Sequence, residues 1–490
     1  MDWMQAKKAG EKDGYMDLIT VSTALIKWAL AALVGCLGVI TLLGGGYLIY
    51  KKIFRGKRNM SKKQWVVLSL LVAWFLVVLG LTTISRVANF TGDINLHLFS
   101  GYVNAWNKWS FSELQLILFN MLMFVPLGFL LPLLMRRAET FWLTFLVTLL
   151  TTGFIEIIQL VTGKGIFELD DIFHNLIGGL AGYFFVMAIL VCARQKRFAI
   201  QFVLRGVMIP ALFGALIGSA MITYQAKEFG NMPILPAMKQ DMDEVTVENK
   251  LLLHEDADRA SIYRNIYAKD MQRGRDIADQ LSRKYAVNFS DIIRREGDDN
   301  RIFMGAAPDG HEADLYYQYK DGSWHFSAGD AGGSLSDHQA ATLRAEMEQW
   351  LSQSGLLPDN AVFSIQDNNI LRWDAKEPED LAHQDNDFVS SIIMVQFAKD
   401  GTLSDLFNQT IWNKFDRKLE LISSKQAFEQ IQAGNFYMYS PFQKGDKLVV
   451  NEYALTYVYD TKGYYQPVYE FKGYINNNER QWYCQIPARK

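Results

Sequence analysis

Residues 154–183 place ionisable side chains inside two segments apolar enough to enter a bilayer. The stretch reads FIEIIQLVTGKGIFELDDIFHNLIGGLAGY. An ionisable group at the centre of a membrane helix costs roughly 2.5–3.5 kcal/mol on insertion scales, so a chain that clusters several must satisfy them mutually or use them. Glu156 and Gln159 are three apart and share a helix face. Asp170 with His174, and Asp171 with Asn175, are four apart. Ten residues separate Gln159 from Asp170, so both polar faces emerge at the same side of the bilayer. Gly178, Gly179 and Gly182 then let helix backbones approach closely.

The chain holds two physical classes. Residues 1–223 carry 20 Lys and Arg against 11 Asp and Glu, a net +9, while residues 224–490 carry 29 against 41, a net −12. The first half is basic and apolar, and the second is polar and acidic. That acidity argues against nucleic acid as a partner. The cysteines are Cys36, Cys192 and Cys484, so the second half has no internal disulfide and no zinc spacing.

Six segments reach spanning length, near 20–50, 65–85, 115–135, 141–161, 173–193 and 200–222. The loop KKIFRGKRNMSKK (51–63) holds seven basic residues and no acid; Arg136 and Arg137 follow the third segment; Arg194, Lys196 and Arg197 follow the fifth. These sites fall at alternate connections, so the positive-inside bias puts all three in the cytoplasm. The amino terminus, the loop 162–172 and everything after Tyr224 are then expected outside. Residues 224–240 read as a linker and 241–490 as an α+β region. In that region a polar helix is expected over 268–286, and Ser336 with Gln339, and Ser423 with Gln426, form capping boxes. Strands are expected at 301–306, 313–319, 322–327, 361–366, 389–398, 448–459, 464–471 and 480–486. Helix followed by antiparallel strands recurs, which reads as a duplication divided as 241–420 and 421–490. The expected fold class is an α-helical polytopic membrane bundle of six spans, followed by a soluble extracytoplasmic α+β region with antiparallel sheets.

The segments NLHLF (95–99), FNMLMFVPLGFLL (119–131) and the stretch 154–183 together resemble the VanZ-like family, named for a teicoplanin-resistance protein. The resemblance covers roughly residues 65–222, leaving 1–64 as an added helix and basic loop. It implies Glu156, Gln159, Asp171 and Asn175 as signature polar residues, with Glu168 and Asp170 as further acids. Arg86 is similar to the family's upstream basic residue, and Asn120 to the Asn that opens its Pro-Leu-Gly helix. The tail is more faintly similar to repeats in cell-wall regulatory accessory proteins and PepSY-like modules.

Each of these residues also has a plain structural reading. Glu156 is a general acid or base, a head-group ligand, or a paired carboxyl holding helices together. Asp170 and Asp171 sit where a helix dipole favours carboxylates, and one of them serves as a cap. A divalent cation on oxygen ligands is conceivable for Asp171, Asn175 and Glu156, although no metal site or cofactor is named by the residues themselves. His174 reads more readily as scaffold. Arg86 binds a phosphate or carboxylate, or neutralises Glu156. The first functional expectation is a multi-pass plasma-membrane protein acting at the outer face on a cell-envelope component, with a role in teicoplanin resistance. Its partners are the lipid bilayer, a lipid-linked cell-wall precursor or lipoglycopeptide, and an envelope protein for the tail. The alternative is a membrane hydrolase or transferase acting on a polyprenyl-linked precursor, with Glu156 and Asp171 as its carboxylates.

Overall fold

The computed structural model describes residues 38, 41, 44–55, 59–84, 94–196, 200–329, 336–366, 370–398, 401–438, 441–476 and 480–490. Most of the first expected span, near 20–50, lies outside the described residues, and so does Arg86. The described residues fall into two compact units, drawn from Met1–Ala105 with Phe111–Ala226, and from Trp106–Ser110 with Lys227–Lys490.

In the first unit, helix α1 (Lys62–Leu79) starts at a capping box between Ser61 and Gln64. It runs into a π-helical turn, Gly80–Ile84. A short helix α2 (Ser100–Lys108) precedes α3 (Phe111–Leu134), α4 (Phe141–Thr162), α5 (Leu169–Gln195) and α6 (Ile200–Ala226). Lys62–Ile84, α3, α4, α5 and α6 are each long and apolar enough to cross a membrane. Five of the six expected spans are therefore helices among the described residues. Two features were not expected: α2 itself, and a two-stranded parallel ladder of β1 (Ile94–Asn95) with β2 (Phe167–Glu168).

The tightest packing in this unit joins α3 to α5. A Cβ on Gly178 would stand 1.8 Å from the Met121 carbonyl oxygen, and one on Gly182 would stand 2.1 Å from that of Val125. Glycines four apart on one helix face thus bring two backbones into contact, which dispersion rewards where no hydrophobic effect acts. Trp74 of α1 closes the other side of α3, donating to the Met123 carbonyl at 2.6 Å.

The second unit is mostly antiparallel sheet. Its strands are β3 (Thr246–Asn249), β4 (Arg259–Asn265), β5 (Asn288–Glu296), β6 (Asn300–Ala306), β7 (Asp314–Gln318), β8 (Trp324–Ser327), β9 (Val362–Gln366), β10 (Ile370–Ala375), β11 (Phe388–Phe397), β12 (Leu403–Asn408), β13 (Ile411–Glu420), β14 (Lys447–Tyr459), β15 (Tyr464–Ile475) and β16 (Arg480–Pro487). Helix α7 (Met271–Tyr285) precedes the meander β5–β8, and α8 (Asp337–Gln353) precedes β9–β12. The two meanders meet through their last strands, β8 and β12, with Phe326 opposite Leu406. Both helices contribute to one core, where Ile277, Leu281, Met347 and Leu351 meet Phe326, Trp373 and Leu406. Lys284 of α7 pairs with Glu346 of α8 at 2.6 Å.

Helix α9 (Ser424–Gln432) then precedes β14–β16 and buries Phe428 and Ile431 against Phe471, Trp482 and Ile486 in a second core. Strand β11 joins the two halves: Phe388–Ser390 pair with β13, and the remainder pairs with β10 and β12. Helix followed by antiparallel strands, expected as a duplication, occurs here three times. Both expected capping boxes are formed, at Ser336 and at Ser423.

Candidate functional site

One face of α4 carries Thr144, Thr148, Thr152, Glu156 and Gln159, and all five are buried. The three threonines and Glu156 are spaced by four, which keeps them on one stripe. Thr144 and Thr148 spend their hydroxyls on backbone carbonyls, of Ala138 and Thr144. Thr152 instead accepts the Asn175 amide of α5 at 2.9 Å. Glu156 is 1% exposed and accepts the Glu168 backbone N–H at 3.1 Å. The loop after α4 therefore folds back over the end of its own helix. Gly163, in the left-handed region at φ 64°, makes that reversal by closing α4 onto the Gln159 and Leu160 carbonyls. Gln159 donates to the Thr82 carbonyl in the π-helical turn at 3.1 Å.

The acids of α5 divide their work. Asp170 accepts from the backbone N–H groups of Phe99 and Gly101 and from the Ser100 hydroxyl. It caps α2 across the fold rather than its own helix, whose N-cap Glu168 makes no side-chain cap bond. Asp171, half-buried, accepts from the Asn120 amide of α3. His174 is 2% exposed and lies edge-on to Tyr102 of α2, with ring centres 5.3 Å apart. Burial, then the nearby Asp170 charge, pushes the Tyr102 phenol up to about 12.

The three sequence blocks thus converge. Block 95–99 reaches block 154–183 through the β1–β2 ladder and the Asp170 cap, and block 119–131 reaches it through Asn120 and Asp171. Arg86 lies outside the described residues. Thr82, Thr152, Tyr102 and the Phe99–Gly101 donors were not foreseen. The four-residue spacing of Thr144, Thr148, Thr152 and Glu156 was a readable signal for Thr152. Nothing local announces the Thr82 carbonyl or the donors on Asp170, because backbone groups carry no sequence signature.

Four buried side-chain atoms of this unit have no hydrogen-bond partner among the described residues: Gln159 Oε1, Asn175 Oδ1 and both nitrogens of His174. Leaving a buried polar atom unpaired costs about 1–3 kcal/mol, and all four belong to α4 and α5. No group of three or more His, Cys, Asp or Glu among the described residues is arranged to hold a metal ion. The chemistry on offer is acceptor-rich: two amide oxygens and two carboxylates, with one imidazole alongside.

Residues 65–191 match the family model described as VanZ/LLP1. The chain carries a VanZ-like membrane domain. The matched residues span α1 to α5 and contain every one of the convergent polar groups. No curated protein matches the chain. Among solved structures, it is similar to an uncharacterized protein from Eubacterium rectale ATCC 33656, at 12% identity and a TM-score of 0.22 over 50% of this chain and 87% of that one. It is also similar to the YpeB C-terminal domain of Bacillus megaterium, at 13% identity and a TM-score of 0.20 over 46% and 95%. Within the VanZ-like domain, α5 is the organising helix, since it packs on α3, α4 and α6 and supplies Asp170, Asp171, His174 and Asn175.

Proposed function

We propose that the VanZ-like domain binds the polar group of a cell-envelope component at the outer face of a bacterial plasma membrane. The observation that carries this reading is the set of buried, unpartnered polar atoms on Gln159, His174 and Asn175, beside the carboxylates of Glu156 and Asp171. Buried acceptors left without partners are satisfied by a ligand that donates, as hydroxyl, amide and ammonium groups do. Lipid-linked cell-wall precursors and lipoglycopeptides carry such groups beside a polyprenyl or acyl chain that partitions into the bilayer. Contribution to teicoplanin resistance follows if binding alters access to one of them. The basic residues at 51–63, 136–137 and 194–197 support an outward-facing site and an extracytoplasmic tail. The tail, a separate unit with its own cores, is suited to meeting an envelope partner.

Glu156→Gln and Asp171→Asn keep shape and remove charge. In a deletion strain complemented with each variant, membrane abundance should stay near wild type, while teicoplanin susceptibility should rise to that of the deletion. Full complementation by both variants at normal abundance would assign the cluster to helix packing alone.

A further inference from the structure

The second unit holds a groove of about 430 Å³ lined by Pro233, Ile234, Tyr437, Met438 and the run Arg480–Gln485. Three independent features mark it. Large apolar side chains exposed on this unit are mostly aliphatic and scattered, as on any soluble surface. Among the described residues two of them are aromatic, Tyr437 at 53% exposure and Tyr483 at 69%, and both line this one groove. Trp482, 4% exposed, also lines it and keeps an indole N–H with no hydrogen-bond partner among the described residues. Among the described residues that line the groove none is a carboxylate, although residues 224–490 carry a net charge of −12.

Strand periodicity arranges these side chains. Trp482 and Cys484 turn inward to the second core, where Trp482 meets Phe436 edge-on at 5.5 Å. Gln481, Tyr483 and Gln485 take the opposite face, so a tyrosine ring stands between two amides, each about 7 Å away along the strand. Gln485 donates to Glu470 at 3.1 Å, and Arg480 lies 3.7 Å from Asp446. Strand β16 pairs with β15 on one side. Its other edge is met by the chain only past its end, where Leu421 bridges Arg489. The edge beside Tyr483 is therefore open among the described residues.

We infer that this groove binds an oligosaccharide. A pyranose offers a CH face that settles on the electron-rich face of a tyrosine ring, and a rim of hydroxyls that amides and a guanidinium can bond. The exposed Tyr483 ring between two amides, with the Tyr437 ring and the Arg480 guanidinium in the same groove, suits that ligand. A purely apolar peptide anchor would leave the exposed Gln481 amide without a role. The inference rests on the second unit alone and is independent of the membrane site.

The test uses the full chain in detergent, titrated calorimetrically with an N-acetylglucosamine tetramer and separately with a proline-rich decapeptide. The tetramer should bind saturably. Tyr483→Ala and Tyr437→Ala change exposed side chains and should each weaken binding about tenfold. Absence of saturable tetramer binding, or unchanged affinity in the double tyrosine variant, would overturn the assignment. Binding of the decapeptide instead of the tetramer would overturn the ligand class. Unfolding curves for each variant distinguish a lost contact from a lost fold.

Discussion

The carboxylate of Asp170 accepts the Gly101 backbone N–H at 2.8 Å, so the first turn of one helix caps the first turn of another 69 residues earlier in the chain. It also takes the Phe99 N–H and the Ser100 hydroxyl, which ties the NLHLF block to α5. This acid therefore holds structure, whereas Glu156 and Asp171 are proposed to meet a ligand.

That division predicts opposite behaviour on neutralisation. Asp170→Asn weakens charge-assisted bonds to orphan helix N–H groups and should cost about 1–2 kcal/mol. Thermal unfolding of the purified chain should begin earlier and membrane abundance should fall. Glu156→Gln should leave both near wild type. If Asp170→Asn is as stable as wild type, the cap is not contributing.

The α3–α5 contact gives a steric prediction. Gly178→Leu must displace the Met121 carbonyl, because even a Cβ would come to 1.8 Å of it. Membrane abundance should collapse. Gly218→Leu on α6 is the matched control, since no heavy atom lies within 4 Å of a Cβ there. Equal abundance of the two variants would mean that α3 and α5 are not packed as described.

Thr152 has no charge and no ligand role, yet it holds Asn175 in place. Thr152→Val keeps the shape and strands the Asn175 amide, which should cost about 1–3 kcal/mol. Thr152→Ser should restore the loss. The midpoint of thermal unfolding in detergent reads both, and a neutral Thr152→Val would show that Asn175 finds another acceptor.

Orientation is open to chemical labelling. After replacement of Cys36, Cys192 and Cys484, a cysteine at Gly165 should react with an impermeant thiol reagent in intact cells, and one at Ser61 should not. The reverse pattern would turn the proposed outer-face site to the cytoplasm.

The stretch 224–240 was expected as a linker, yet part of it is bonded to the tail. Gly230 N–H donates to Asp460 at 2.6 Å, Asn231 N–H to Thr461 at 2.8 Å, and Gln240 N–H to the Gly434 carbonyl at 2.9 Å. A fragment 227–490 should therefore unfold at a higher temperature than 241–490, by about 6–12 °C if each of the three lost bonds contributes about 1 kcal/mol. Both fragments should be indifferent to reductant, because Cys484 is their one cysteine. Identical midpoints would make 227–240 a passive connection.

Much of this architecture is written locally. Apolar runs of spanning length gave α1, α3, α4, α5 and α6, because a helix is the way an isolated segment satisfies its backbone in hydrocarbon. Ser61, Ser336 and Ser423, each with a glutamine three residues on, fixed three helix starts by side chains a few residues apart. Strands β3, β4, β5, β10, β12 and β13 were not expected; β5 and β13 are mostly exposed or half-buried, and runs such as SDIIRRE and KFDRKLE lack the alternation that marks a buried face, whereas β4, β10 and β12 are short and take their burial from neighbouring strands.

The sequence alone determined which side chains must be accounted for: carboxylates, amides and a histidine inside apolar segments force a polar cluster, since lipid supplies no partners. It did not determine how that cluster is wired. That Asp170 caps α2, that Gln159 reaches the Thr82 carbonyl, and that Asn175 takes Thr152 depend on backbone groups and helix faces brought together from 23 to 77 residues apart. Only tertiary packing fixes those distances. It also decides which polar atoms remain without a partner.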